Sequence, residues 1–598
     1  GIGGTGRVTV SGGVTLESRE SSDASATGKG VSAGAGVSIG KSYAKATLAP
    51  DVETYIGGSA IVTATSGNIT LTSLHNDSGT GPQSANDATA EATASGGALV
   101  GVTGAQASAE AKASVDTYVG GGATVTATAG GVSLVSHSFN DAYASADGDT
   151  GGFVAVGEVE ATATATGTTR SSLAVNTLSA TGALTVFAKG ESVASASADA
   201  STGGAADLRE PTAYADAAPT VEARVSSTGA LSGVTVAGRP IGVNVGGSAS
   251  IRAIALGHST AEADGAGGGI YSEGTSDADA KWRPTVDAYI GGGGTGLVVG
   301  GSLSVLALNN YDDAGTSALT SRQVSARATA SGGGVASIQG ADADTLVDAR
   351  VKARILGGAV VAAGTDLSVT AKSRNSSRAL AEGVTGGFVS AGSSAAESLM
   401  YSTVWAVSED APQADRTYLT SGNNVRLLAI ADNVADVDAT GEGGGLVGEG
   451  GADAKARLLD PVVRARLGDY ADVQAPSAKL EVSAENYAWI SAQAYQTTAG
   501  AVTDNAASAR SEIRNSATRA EIGQGVAISV RELLLSAIDK SIYVEAISDA
   551  IVPFNLGGVN TATADVDVAV GAQAHIFAST LAGRNTTIVA TEKVTIWA

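Results

Sequence analysis

A five-residue pattern, apolar–x–apolar–x–small, returns along the whole chain and limits what it can fold into. It reads Val14-Leu16-Ser18, Ile69-Leu71-Ser73, Val132-Leu134-Ser136 and Leu184-Val186-Ala188. It continues as Ile251-Ala253-Ala255, Leu303-Val305-Ala307, Leu367-Val369-Ala371 and Val425-Leu427-Ala429. The last copies are Leu480-Val482-Ala484, Leu533-Leu535-Ala537 and Val594-Ile596-Ala598. Ten intervals separate Val14 from Val594, so the mean period is 58 residues. A unit of that size cannot bury its apolar face alone and must stack on its neighbours. Residues 1–598 therefore read as one continuous array of about ten repeats, ending near 18, 73, 136, 188, 255, 307, 371, 429, 484, 537 and 598.

A second landmark keeps the same register. Val52-Glu53-Thr54-Tyr55-Ile56-Gly57-Gly58 recurs as Val115-Asp116-Thr117-Tyr118-Val119-Gly120-Gly121 and as Val286-Asp287-Ala288-Tyr289-Ile290-Gly291-Gly292. Val463 to Gly468 is a weaker copy with Arg466 at the Tyr position, and in all four the first motif follows 14 residues later. A third landmark is an Asn/Asp cluster, alternating Ala and then glycines, as at Asn86 to Gly97, Asn140 to Gly152 and Asp432 to Gly445. Runs such as Ala88-Ala90-Ala92-Ala94 and Ala107-Ala109-Ala111-Ala113 have period two, the period of a strand. Alanine favours helix, but the intervening residues are mostly Ser, Thr and Glu and each run ends at Gly. A short helix competes only around Leu533 to Ile538.

Stacked strands of this kind predict an all-β fold, a right-handed parallel β-helix with a narrow Ala/Val/Ile/Leu interior. Hydrophobic residues form 43% of the chain but aromatics only 4%, so facing sheets are expected closer than the usual ~10 Å. Each repeat offers roughly three alternating runs. At roughly 20–30 residues per coil, a repeat would supply two or three coils and the array a rod on the order of 100–145 Å long. The chain begins at Gly1 without a leader pattern and stops on a copy of the first motif without a polar cap. A segment of a longer array, or a subunit stacking end to end, is the expectation.

The Val-x-Ala-Tyr-Ile-Gly-Gly-Gly form at 286–293 and the repeated Ala-x-Ala-x-Ala before glycines resemble the giant Ala/Gly-rich bacterial surface proteins. These are the β-strand-repeat, filamentous-haemagglutinin-like adhesins and related exported filaments. The resemblance implies export, a right-handed β-helix, and roles in attachment, cell–cell contact, or sheath and filament formation. The amino-terminal secretion domain of haemagglutinin-type adhesins is not visible in the sequence.

Chemistry-bearing residues are sparse. The four histidines, His75, His137, His258 and His575, lie far apart in sequence, and a corner role suits them better than catalysis or zinc. Asp277-Ala278-Asp279-Ala280-Lys281-Trp282-Arg283 places four charges on one strand face and Trp282 on the other. It is the best candidate for an acidic-polysaccharide-cleaving β-helix, and it reads more simply as a solvated face. Calcium is the candidate ion, with Asp147 and Asp149 beside flexible glycines and Asp432, Asp436 and Asp438 as a second acidic group. Neither group is an EF-hand loop, and ordinary Asx/Gly turns account for both. The glycine runs 291–294 and 443–445 lack the Lys and helix of a phosphate loop. Tyr55, Tyr118 and Tyr289 form either a contact row for glycan or protein or a packing feature. Asn68, Asn76, Asn375 and Asn585 open glycosylation-type sequons that read as coincidence in a bacterial protein.

The formal charge of −23 opposes nucleic acid or anionic membrane as partner. Without cysteine there are no disulfides, and no run of 18 apolar residues spans a bilayer as a helix. The reading is a non-enzymatic extracellular or cell-surface rod. Its expected partners are its own copies, end to end or laterally, and host or neighbouring-cell glycans or proteins, with no required cofactor. A polysaccharide-binding or -cleaving β-helix is the alternative. An ice- or mineral-binding surface would need a Thr array longer than Thr63-Thr65 and Thr124-Thr126-Thr128.

Overall fold

The computed structural model describes residues 1–79, 81–83, 87–292, 294–553, 556–577 and 586–598. Asn86, Gly293 and Asn585 lie outside the described residues. Every regular element is a β-strand, and apart from the small hairpin Thr235–Val236 and Arg239–Pro240 all pairing between the strands is parallel. Leu533 to Ile538 lies within the strand Ala527–Ile551, so no helix forms there. Its flanking residues pair in register with the coils before and after, which outweighs the helix propensity of Leu and Ala.

One repeat makes one coil, not two or three. Val14 pairs with Ile69, Ile69 with Val132, and Val132 with Leu184, each a full repeat apart. Eleven strands, starting at Val14 and ending at Val594, stack in this ladder, so the described coils rise only about 48 Å at ~4.8 Å each. The expected length of a slender rod is therefore corrected to a shorter, much broader stack. The copy placed at Ile251 is also corrected, because Ala249 is the residue that pairs with both Leu184 and Leu303.

The coil is broad because it contains five strand segments. In the second coil these are Ile61–Ala64, Ile69–His75, the outgoing and returning halves of Ala88–Ala111, and Ser114–Val119. The first, second and fifth ladders share one apolar core of Val, Ile, Leu and Ala, including Ile56, Val62, Leu71, Val125, Leu134 and Leu173. The outgoing and returning ladders leave this core as a two-layered flange. Its interior is almost wholly Ala, such as Ala90, Ala92, Ala107, Ala109, Ala144 and Ala163. A Cβ added to Gly28 would stand 2.7 Å from the Tyr43 carbonyl oxygen on the facing strand, so the layers pack backbone against backbone. The narrow interior expected from composition is this flange.

Insertions lengthen three coils. Spacing between paired residues runs from 52 (Val132 to Leu184) to 65 (Leu184 to Ala249). The long coils carry excursions that include 76–79 and 81–83, 228–242 and 310–323. The last covers a satellite core of Phe187, Ile254, Leu256, Leu306, Leu308 and Tyr311 on the second ladder.

Candidate interaction surfaces

The flange tip is built by glycine. Outgoing strands end at Gly151-Gly152, Gly203-Gly204, Gly267 to Gly269, Gly332 to Gly334, Gly386-Gly387 and Gly443 to Gly445. A Cβ on Gly204 would collide with the Gly152 carbonyl oxygen, one on Gly269 with that of Gly204, and so on through Gly334, Gly387 and Gly445. None of these has positive φ. Close stacking of successive turns, and not left-handed backbone, excludes a side chain here.

The residue after each of these glycine runs faces outward, as do its register equivalents in the other coils. Leu99, Phe153, Ala205, Ile270, Val335, Phe388, Leu446, Ala501 and Leu556 occupy successive coils in one column, as the pairing of their neighbours requires. Phe153 and Ile270 are each 62% exposed and Phe388 is 59%. The next outward column holds Val37, Val100, Val154, Ala206, Tyr271, Ala336, Val389, Val447 and Val502, and a third holds Ile39, Val102, Val156, Leu208 and Ile338. The first two columns carry no charge. A signal for them was present in the sequence: a large apolar residue follows most of the glycine runs.

Inside the flange, just behind the tip, the interior turns polar. Arg209 Nη1 donates to Asp207 Oδ1 at 2.9 Å and to Ser272 Oγ at 3.3 Å, and Nη2 donates to the Ser331 carbonyl and Gln339 Oε1. Asp207 and Arg209 are both buried. Burial pulls the Arg209 guanidinium down, while Asp207 holds it up. Glycines on the next coil and the facing strand make the room: a Cβ on Gly274 would lie 2.8 Å from Arg209 Cζ. Sequence reasoning missed this pair, although both share the parity of the inward Ala213, Ala215 and Ala217.

The fifth ladder presents a charged, aromatic outer face. Tyr55 stacks on Tyr118 with centroids 5.2 Å apart and planes 8° from parallel. Tyr289 lies in the same column, separated from Tyr118 by Ser172 and Arg224. Its hydroxyl donates to Glu222 Oε1 at 3.1 Å, and Arg354 lies over its ring at 5.1 Å. Arg170 bridges toward Asp116 at 3.7 Å and Glu222 at 3.3 Å; Arg354 reaches Asp287 and, at 2.7 Å, Glu409. The weaker copy's Arg466 sits in this column and meets Asp410 at 2.7 Å and Asp469 at 3.0 Å.

The acidic candidates do not converge. Asp147 and Asp149 lie on the outer face of the outgoing layer, where Asp147 pairs in register with Asp199, and Asp199 with Asp264. Desolvation and then the neighbouring carboxylates push Asp199 upward. Asp432 meets Arg374, and Asp438 faces Arg378 at 3.8 Å with Asp436 beside it. Among the described residues no group of three or more His, Cys, Asp or Glu side chains gathers as metal ligands would.

The strand around Asp277 alternates as expected. Asp279 pairs with Lys281 at 2.6 Å and Arg283 with Asp216, while Trp282 is buried and donates to Asn309 Oδ1 at 3.3 Å. An open groove of about 600 Å³ runs across the returning layer beside it, lined in part by Glu210, Asp277, Asp342 and Asp453. Adjacent Asp344 is pushed up to about 7 by desolvation and then by Asp342, Glu397, Asp279 and Asp277.

The histidines stay apart. His75 is fully buried with Nδ1 2.6 Å from Glu20 Oε2; burial lowers its pKa and Glu20 partly restores it. His137 Nδ1 is 3.6 Å from Asp77 and its ring meets Phe187 edge-on at 5.0 Å. Burial and the Arg322 charge lower His258, and His575 stacks on Phe577. These are corner and packing contacts.

No helix of the described residues is long and apolar enough to cross a membrane. Neither protein-family models, curated proteins nor solved structures give a match to this chain.

Proposed function

We propose that this chain is a structural and adhesive β-solenoid of the bacterial exterior, acting in attachment, cell–cell contact, sheath or biofilm matrix. The observation that carries the reading is repetition of the outer surface: coil after coil presents the same apolar tip column and the same charged fifth-ladder face. Surfaces repeated at ~4.8 Å suit extended contact with other long objects, its own copies or cell-surface glycans and proteins. The net charge of −23 keeps such blades dispersed until a specific contact forms. Display of the chain on a non-adherent bacterium through a carrier tests this. Displaying cells are expected to clump or adhere to glycan- and protein-coated surfaces; settling identical to carrier-only cells overturns the reading.

The groove beside Asp277 favours a second reading, a polysaccharide-binding or -cleaving β-helix. A carboxyl that titrates near neutrality is suited to donate a proton in such chemistry. Turnover of an anionic polysaccharide that disappears in Asp344→Asn would establish it, and no turnover on a panel of uronate polymers removes it.

A further inference from the structure

We infer that the apolar flange tip is a pairing surface for a second copy of this chain, joining two stacks edge to edge along their length. This deepens the self-association in the structural reading above and rests on it. The stripe from Leu99 to Leu556 spans nine coils, about 38 Å at ~4.8 Å per coil. Its three outward columns make it roughly 12–15 Å wide at ~3.3 Å per residue, giving on the order of 500 Å² per copy. Two copies would bury about 1,000 Å², the size at which a specific interface becomes credible.

Three features select a second copy as the occupant. The first is pitch. Phe153, Ile270, Val335, Phe388 and Leu446 project as separate knobs, one per coil, and only another parallel β-stack carries knobs and gaps at the same spacing. Two such rows can interdigitate like the dry faces of paired sheets. The second is charge. A chain of net charge −23 keeps the first two columns free of charge, and Glu273, Glu449 and Asp504 enter only at the third. An anionic or cationic partner finds nothing to pair with in those two columns. The third is rigidity. The tip turns from Gly152 to Gly500 pack so closely that a Cβ would meet the carbonyl of the coil before, so the row is preformed and little order is lost on pairing.

The test uses sedimentation equilibrium of the full chain at low and high salt. Native protein is expected to approach twice its 58.1 kDa mass as concentration rises, more readily at high salt, where repulsion between the acidic bodies is screened. The triple variant Phe153→Ser, Phe388→Ser, Leu446→Ser changes only outward side chains and should keep the native circular dichroism while weakening pairing more than about tenfold. The chain has no cysteine, so Val335→Cys should form disulfide dimers under mild oxidation while Gln106→Cys, farther down the flange, should not. A native mass that stays at 58.1 kDa overturns the inference. So does dimer that survives unchanged in the triple variant, which would place the contact at the ends of the stack. Monomer that binds neutral phosphatidylcholine vesicles through the tip would instead assign the stripe to lipid. Any of these results leaves the display experiment free to succeed.

Discussion

Two carboxyls on the outside of the stack contribute to its response to pH. Asp344 and Asp141 are both pushed up to about 7, each first by desolvation and then by neighbouring acids: Asp342 and Glu397 for the first, Asp87 and Glu191 for the second. Their ordinary value is 3.8, so the folded chain holds protons that the unfolded chain has released. Stability from these groups is complete below about pH 4 and drains away as pH rises through about 7. Calorimetry should show a higher Tm at pH 5 than at pH 7.5, and Asp141→Asn with Asp344→Asn should shrink that difference by raising the pH 7.5 value. An unchanged difference in the double variant would show that other groups govern it. A different residue-scale device orders the corner between the second ladder and the flange. Asn309 donates to Asn375 at 3.0 Å, Asn375 to Asn433 at 2.8 Å, Asn433 to Asn486 at 3.3 Å, and Asn486 to Asp539 at 3.2 Å. Asn433→Ala breaks two links and leaves buried amide atoms without partners, at a cost of about 1–3 kcal/mol. Urea unfolding would measure it, and a loss no larger than that of an outward Thr→Ala would show that the ladder adds nothing.

At the scale of the element, the two cores tolerate different errors. Ala127 lies fully buried in the apolar core, and Ala127→Leu forces added methylenes into a filled layer for about 1–3 kcal/mol. Thr126→Leu, on the outward face of the same short strand, should cost little; equal thermal stability of the two variants would refute the packed interior. In the flange tip even one carbon is too much. Gly269→Ala drives a Cβ into the Gly204 carbonyl and should lower Tm although alanine is otherwise a good neighbour in this layer. The strands themselves were legible because apolar columns pin register: ten of the eleven copies of the first motif stand in one ladder. The exception arose because Ala249 replaces the usual large residue, and the pattern was matched two residues late without changing face. The number of strands per coil was not legible. Alternation tells which side chains point inward, but not whether they meet a thick core or another backbone. Ala88 to Ala94 and Ala107 to Ala111 therefore read only as alternating strands, and they prove to face each other as opposed layers of one coil. The tip stripe and the Arg209 pair were missed for a related reason. Each is defined by what lies one coil above or across the flange, which a linear reading aligns only after the period is known to be one coil.

The whole molecule behaves as a stack whose levels are alike, and its mechanics follow from that. Backbone pairing joins each coil only to the coils above and below, through five parallel ladders, and only a few side chains such as Arg209 to Gln339 and Arg239 to Asp415 reach past a neighbour, so stability is close to a sum over neighbouring interfaces. Pulling the two ends apart along the stack axis loads the ladders of the outermost coil first. Once its strands have peeled, the next coil is left in the same situation. The chain should therefore extend in steps of one repeat. With 52 to 65 residues between equivalent positions, and up to ~3.6 Å per extended residue, each step releases about 190–230 Å. Two or three coils per repeat would have given steps of roughly 70–115 Å by the same conversion, so the step length reads out the topology directly. Single-molecule force spectroscopy of the chain held between its ends measures it. The three coils that start at Ile69, Leu184 and Leu303, with 63, 65 and 64 residues to the next paired position, should give the longest steps. Rupture of the entire stack in one event would mean that coupling runs through many coils at once, and the neighbour-by-neighbour account of its stability would fail with it.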